Sequence, residues 1–251
     1  MSFTDKVVLV TGASSGIGAA TAILFAKEGA KVAMVGRNSK KLKIVEEKCF
    51  KVGKPPLVII ADVAKDEEVK MIIKETVDTF GKLDVLVNNA GFAKYGTLSD
   101  GKYLQCYDEI MAVNVRAVIN LTMLAIPHLK KTKGNVVNIS SVSAMSLPPD
   151  VKWMPYNVSK AALDHFTRGA AKELASFGIR VNSVNPGPVR TDFFESSAAG
   201  IEVDDCTDMC PLNRVSAPEE IADLIMNLAG EKAIGITGSI FLTDNGFILN
   251  R

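Results

Sequence analysis

Tyr156 and Lys160 stand four residues apart, a spacing that places two side chains on one face of a helix, one turn from each other. That geometry can bring an ammonium close to a phenol hydroxyl, and a nearby positive charge favours the phenolate and lowers the tyrosine pKa. A phenol tuned towards neutral pH can pass a proton to or from an alcohol or ketone. Tyr-x-x-x-Lys also arises by chance on ordinary helix surfaces, so the pair gains meaning only from its surroundings. A second stretch with chemical content is Gly12-x-x-x-Gly16-x-Gly18. Its spacing differs from G-x-G-x-x-G, but the physical demand is the same: glycines let the backbone turn sharply and approach a pyrophosphate at a helix N-terminus.

These residues must be positioned by regular elements. Lys6 to Val10 reads as a buried strand, Ala19 to Glu28 as a helix closed by Gly29, and Lys31 to Val35 as the next strand, which makes a βαβ unit. The alternation continues with helices over Ser39–Lys51 and Lys65–Phe80 and strands over Leu57–Ala61 and Leu83–Val87. A long helical stretch from Tyr103 to Leu129 is expected to break near Asn114. Beyond it come a strand over Asn135–Ile139, a helix over Tyr156–Phe177, a strand over Arg180–Val184, a helix over Pro218–Leu228 and a last strand over Ser239–Thr243. Strands alternating with helices imply a parallel sheet covered on both faces, the α/β class. With no linker or repeat, residues 1–251 read as one domain. Thr191 to Pro211 shows no clean period and reads as a lid within a substrate loop of about residues 188–215.

Composition narrows the function. The chain has 29 basic and 28 acidic residues and a net charge of +1, which gives no reason to expect nucleic acid or a membrane surface as the partner. No apolar run approaches a bilayer span, the N-terminus lacks the pattern of a signal peptide, and the cytoplasm is the expected compartment. Cys206 and Cys210 lack a second Cys/His pair, and Glu202, Asp204 and Asp205 read as a solvated loop, so no metal site is expected. His128 and His165 read as structural. Glycosylation triplets at Asn120, Asn138 and Asn157 read as coincidences in a cytosolic chain.

The ordered set Thr11-Gly12-Ala13-Ser14-Ser15-Gly16-Ile17-Gly18, Asn88-Asn89-Ala90-Gly91, Asn114, Asn138-Ile139-Ser140-Ser141, Tyr156-x-x-x-Lys160 and Pro186-Gly187 resembles the short-chain dehydrogenase/reductase family over essentially the whole chain. The resemblance implies a doubly wound seven-stranded parallel sheet, a Rossmann fold, with helices on both faces and a nicotinamide cofactor. It makes Tyr156 the general acid or base, with Lys160 binding the nicotinamide ribose and lowering the tyrosine pKa. Ser141 would hydrogen-bond the substrate oxygen, and Asn114 would hold a water linking Lys160 to solvent. Gly12, Ser14, Ser15, Gly16, Ile17 and Gly18 would cradle the pyrophosphate, and Asp62 and Val63 would meet the adenine. Asn89, Ala90, Gly91, Pro186, Gly187 and Val189 would line the cofactor cleft, and Thr191 would bond the carboxamide end. In one respect the chain departs from the pattern. Ser141 lies fifteen residues before Tyr156, whereas the family often has thirteen, which is the spacing of Ser143. The Asn-x-Ser-Ser context favours Ser141, with Pro148-Pro149-Asp150 absorbing the insertion.

Val35-Gly36-Arg37-Asn38 bears on the choice of cofactor. NAD-selective sites place an acid about twenty residues past the glycine turn, on the ribose hydroxyls. Gly36 presents no carboxylate to repel a 2′-phosphate, and Arg37 and Asn38 can bind one, so NADP(H) is expected. Met145, Trp153, Met154, Phe193 and Phe194 are placed to line a substrate pocket and suggest an apolar carbonyl compound such as a steroid, an isoprenoid or an aromatic ketone. Acyl thioester reduction and sugar oxidation stay open, as does a non-catalytic dinucleotide-binding regulator on the same fold. A homotetramer is expected, in part because the family pairs its long helices across subunits. The other reason is that Ala161, Ala162, Ala170 and Ala171 allow close helix approach.

Overall fold

The computed structural model describes residues 2–147, 150–193 and 203–250. Strand β1 (Val7–Thr11) is buried along its whole length. Val8 and Val10 join a core cluster with Phe25 and Leu42, while Val7 and Leu9 join one with Ile72 and Leu121. A strand with no polar alternation must bury both faces, because its side chains point alternately up and down.

From β1 the chain runs through α1 (Gly16–Lys27), β2 (Lys31–Gly36), α2 (Ser39–Val52), β3 (Leu57–Ile60), α3 (Asp66–Phe80) and β4 (Val85–Asn88). Then follow α4 (Tyr103–Met111), a π turn (Ala112–Arg116), α5 (Ala117–Thr132), β5 (Asn135–Ile139), α6 (Met154–Leu174), β6 (Arg180–Pro186), α7 (Pro218–Ala229) and β7 (Ile240–Thr243). The seven strands pair in the order β3-β2-β1-β4-β5-β6-β7, and every pairing is parallel. Helices α1, α2 and α7 cover one face and α3, α5 and α6 the other. This is the doubly wound Rossmann sheet, and the order reverses between β1 and β4, where ligands bind in such sheets.

The break expected near Asn114 is the π turn, one residue of slack that leaves the helix continuous. Within the 30-residue stretch Tyr103–Thr132 an 18-residue window has a mean hydropathy of 1.6, enough by length and composition to cross a bilayer, and 44% of that window is buried inside the protein. That corrects the expectation that no apolar stretch comes near such a length. The helix packs on the sheet through Val118, Leu121, Ala125 and Leu129. Its outer face keeps Leu104 and Met123 at 72% and 62% exposure. Ala170 and Ala171 are buried in the core beneath the sheet, whereas Ala161 faces solvent. Of the three glycosylation triplets, Asn138 and Asn157 are buried and closed to modification.

Candidate active site

The β1–α1 turn is built by close approach of backbone to backbone. Gly12 has φ +64°, and a Cβ there would fall 2.9 Å from Ala90 Cα. A Cβ on Gly18 would fall 2.3 Å from the Gly12 carbonyl, so no larger residue fits between turn and helix. Asn89 braces the same turn: its Nδ2 donates to the carbonyls of Thr11 and Gly12 at 2.9 and 3.2 Å. Thr11 Oγ1 in return accepts from the Asn89 and Ala90 backbone N–H groups at 3.0 and 3.1 Å. Asn89 therefore secures the turn, in addition to lining the cleft as expected. Ser15, the N-cap of α1, makes no side-chain cap bond, and the first turn carries no acid. The helix thus presents unpaired N–H groups and the positive end of its dipole to the cleft, a fitting seat for a pyrophosphate.

The cleft encloses about 820 Å³. Gly12, Ser14, Ser15, Gly16, Ile17, Arg37, Asn38, Asp62, Val63, Ala90 and Gly91 all line it, as do Pro186, Gly187, Val189 and Thr191. Gly18 lies behind the wall and shapes the turn. At the far end of β2, Gly36 has room for a Cβ, with Ser14 Cβ the nearest atom at 3.4 Å. Arg37 is 72% exposed at its side chain and lies 3.9 Å from Asp62 Oδ2, a loose pairing. Asn38 caps α2, accepting from the Lys41 N–H at 3.0 Å. Lys41 reaches over the cleft mouth to Asp192, a contact that only the folded arrangement of α2 and the loop after β6 reveals.

At the catalytic end three elements converge. Tyr156 and Lys160 lie on α6 and are buried at 6% and 4% exposure. Ser141 follows β5 and accepts the Ser143 N–H at 3.1 Å. Ser141 also acts to lower the Tyr156 pKa against the effect of burial, and both Ser141 and Ser143 line the cleft. Asn114 comes from the π turn. Its Nδ2 donates to the Phe92 carbonyl and Ser159 Oγ at 3.0 and 3.1 Å, and its Oδ1 accepts from the Phe92 N–H at 3.1 Å. Asn114 thereby ties the segment after β4 to α6.

The charges differ from the simple expectation. Burial pushes the Tyr156 phenol above its ordinary range, and the Ser141 hydrogen bond draws it back only in part. Burial also brings the Lys160 ammonium down to about 8, against a counter-effect from Asp164. The Lys160 Nζ donates to the Ile139 carbonyl at 2.8 Å and lies 5.5 Å from the centre of the Tyr156 ring. Within this chain's own side chains, then, desolvation outweighs the pairing that was expected to lower the tyrosine pKa.

Behind Ser141 lies a buried polar group that the sequence did not disclose. Asn185 Nδ2, on β6, donates to the Ser141 carbonyl at 3.1 Å and to Asp164 Oδ2 at 2.7 Å. Ser183 Oγ lies 2.7 Å from Asn185 Oδ1 and 3.2 Å from Asp164 Oδ1. Asp164 is one helical turn past Lys160, and that i, i+4 spacing was the available signal.

Of the residues expected to form the substrate pocket, Trp153 and Phe193 line the cleft. Met145 and Met154 are not part of its wall. Met145 is 46% exposed, and Met154 follows Trp153 at the start of α6, where the next side chain turns about 100° round the helix. Phe194 lies outside the described residues, as does Glu202 of the acidic cluster. Asp204 is engaged by Arg190 Nε and Nη2 at 3.0 and 2.7 Å. Neither His128 nor His165 lines the cleft.

A family model described as enoyl-(acyl carrier protein) reductase matches residues 12–248. An uncharacterized oxidoreductase of Thermotoga maritima is 40% identical over 252 residues, covering 98% of each chain. A glucose 1-dehydrogenase of Gluconobacter oxydans is 38% identical, covering 98% of this chain and 93% of the relative. The crystal structure of a short-chain dehydrogenase from Burkholderia cenocepacia in complex with NADP superposes with a TM-score of 0.91 at 34% identity, covering 99% of this chain and all of that one.

Proposed function

This chain belongs to the short-chain dehydrogenase/reductase family and is an oxidoreductase, and from that premise we propose that it reduces an apolar ketone to an alcohol, reversibly, with NADP(H). The observation that carries the reading is the convergence of Ser141, Tyr156 and Lys160 on one wall of the cleft, with Lys160 held one turn below Tyr156 by the Ile139 carbonyl. When bound, the nicotinamide supplies or accepts the hydride. Tyr156 gives the proton to the carbonyl oxygen. Ser141 donates to the same oxygen as negative charge develops there. Lys160 holds the nicotinamide ribose. Asn114 has committed its amide to Phe92 and Ser159, so we assign it a relay water through its main-chain carbonyl.

The 2′-phosphate falls to Arg37, whose weak tie to Asp62 costs little to break. Thr191 and Val189 close the nicotinamide end. The walls beside Tyr156 support an apolar substrate, since Phe92, Trp153 and Phe193 pack there with Ala93 and Ile110. We further propose a homotetramer that buries the outer face of α4 and α5, where Leu104 and Met123 are exposed. The buried alanines of α6 do not supply that contact. All four cysteines are buried free thiols, which suits a cytosolic enzyme. A non-catalytic regulator would have no use for a complete proton-transfer set. NADPH oxidation, followed by absorbance against a panel of ketones, tests the reading. Turnover of at least one apolar ketone is expected, whereas tight NADPH binding without turnover of any would favour the regulator.

A further inference from the structure

We propose that the pocket beside Tyr156 is an aromatic slot for a planar aryl ketone, whose ring stacks against Trp153 and Phe193 while its carbonyl oxygen reaches Tyr156 and Ser141. The inference rests on the reading of the cleft as a carbonyl-reducing site and adds the shape of the substrate. The Trp153 and Phe193 rings face each other at 26°, with centroids 6.4 Å apart. Tyr156 forms the floor, edge-on to Trp153 at 5.9 Å and tilted to Phe193 at 5.5 Å. Tyr95 packs edge-on against Trp153 at 5.0 Å and fixes that wall.

The two walls differ in origin. Trp153 ends a short 3-10 turn that runs directly into α6, the helix of Tyr156. Phe193 begins the substrate loop and is half-buried. An aromatic ring makes contact on each face at about 3.5 Å, so a ring between two parallel walls needs about 7 Å. The 6.4 Å between the Trp153 and Phe193 centroids is an upper limit on the gap between their planes, so Phe193 must swing outward to admit a ring. A saturated ring is thicker and needs a wider opening. The two walls offer no hydroxyl or carbonyl to a sugar, whose hydroxyls would lose water without replacement. The polar side chains of the cleft wall beyond these rings are Ser141, Ser143, Ser146, Asp150 and Asp205. Stacked rings also gain attraction beyond their buried area.

Trp153 is the only tryptophan in the chain, so intrinsic fluorescence reports on this wall alone. The full chain, saturated with NADP⁺ so that no ketone can turn over, is titrated with 1-tetralone and with its saturated counterpart 1-decalone. Absorption by the ketones is corrected against free tryptophan. The expected result is saturable quenching by 1-tetralone, on the order of tenfold tighter than any change with 1-decalone. The Tyr156→Phe variant should keep the quenching. Absence of saturable quenching, or equal affinity for the two ketones, would overturn the slot. The two readings fail separately. If quenching persists but the wild type oxidises NADPH with no ketone, the catalytic assignment falls and the slot stands. Turnover of 1-decalone as efficient as that of 1-tetralone, without preferential quenching, removes the slot alone.

Discussion

The two ends of the cleft are built from different parts of the chain. At the cofactor end the shape is set by backbone: Gly12 against Ala90, Gly18 against the Gly12 carbonyl, and Asn89 holding both turn carbonyls. At the substrate end the shape is set by side chains, with the rings of Trp153, Phe193 and Tyr156 contributed by a short turn, a loop and a helix. Change at the first end must alter whether a dinucleotide binds at all. Change at the second retunes which substrate is taken while leaving the fold intact. The hydrogen-bonding group at Ser141, Asn185 and Asp164 sits where the two ends meet.

The sharpest way to test that division is at the junction. Ser141→Ala is expected to lower kcat by about 10²- to 10³-fold, the range for losing one donor to a developing oxyanion, while NADPH affinity stays within a few-fold. Ser143→Ala should do far less, because Ser143 meets Ser141 through its backbone N–H, which the substitution keeps. Steady-state kinetics on the two variants decide this, and a larger loss in Ser143→Ala would move the oxyanion donor to that residue.

A smaller effect is expected at the adenosine end. Arg37→Ala should weaken NADPH by about 1.5–3 kcal/mol, as for a charge-assisted hydrogen bond, or roughly 10- to 150-fold. NADH should be almost unaffected. Gly36→Asp has room for its Cβ and should move preference towards NADH by repelling the 2′-phosphate and accepting from the ribose. Equal losses for both cofactors in Arg37→Ala, by calorimetric titration, would show that Arg37 does not read the phosphate.

The smallest effect is one of pH. Burial has lowered the Lys160 pKa to about 8. The ammonium is therefore present below that pH and lost as pH rises through it, and its bond to the cofactor ribose should follow. NADPH affinity should fall several-fold across this range. Asp164→Asn removes the charge that opposes the lowering, so the fall should begin at lower pH. Asn185→Ala leaves that charge in place and should slow turnover without moving the pH dependence. An affinity that does not change between about pH 6 and about pH 10 would contradict a charged role for Lys160.

Much of this was legible in the sequence, because backbone demands leave narrow signatures. Glycines at 12, 16 and 18 announced the turn, the strand–helix alternation announced the sheet, and the polar Asn114 within an apolar helix marked the π turn. Side-chain partnerships between distant segments left weaker traces. Asn89 appeared as a cleft residue, yet its amide is spent on carbonyls 77 and 78 positions earlier. Asp164, Ser183 and Asn185 look like ordinary polar residues until α6 and β6 pack together. Trp153 and Met154 were indistinguishable as apolar neighbours, and only the start of α6 decides which of them faces the cleft. The desolvation of the tyrosine was hidden for a related reason. A four-residue spacing shows that Lys160 is near, but it does not show how completely both groups are removed from water.

The central claim is that Tyr156 passes the proton in an NADP(H)-linked carbonyl reduction. Tyr156→Phe keeps the ring that packs against Trp153 and Phe193 and removes only the hydroxyl. NADPH affinity by calorimetry, measured beside NADPH oxidation with the best ketone of the panel, separates binding from chemistry. The account predicts affinity within a few-fold of the parent and turnover reduced by about 10²-fold or more, the lower end of what a positioned acid contributes. Turnover within about tenfold of the parent, with binding intact, would contradict it.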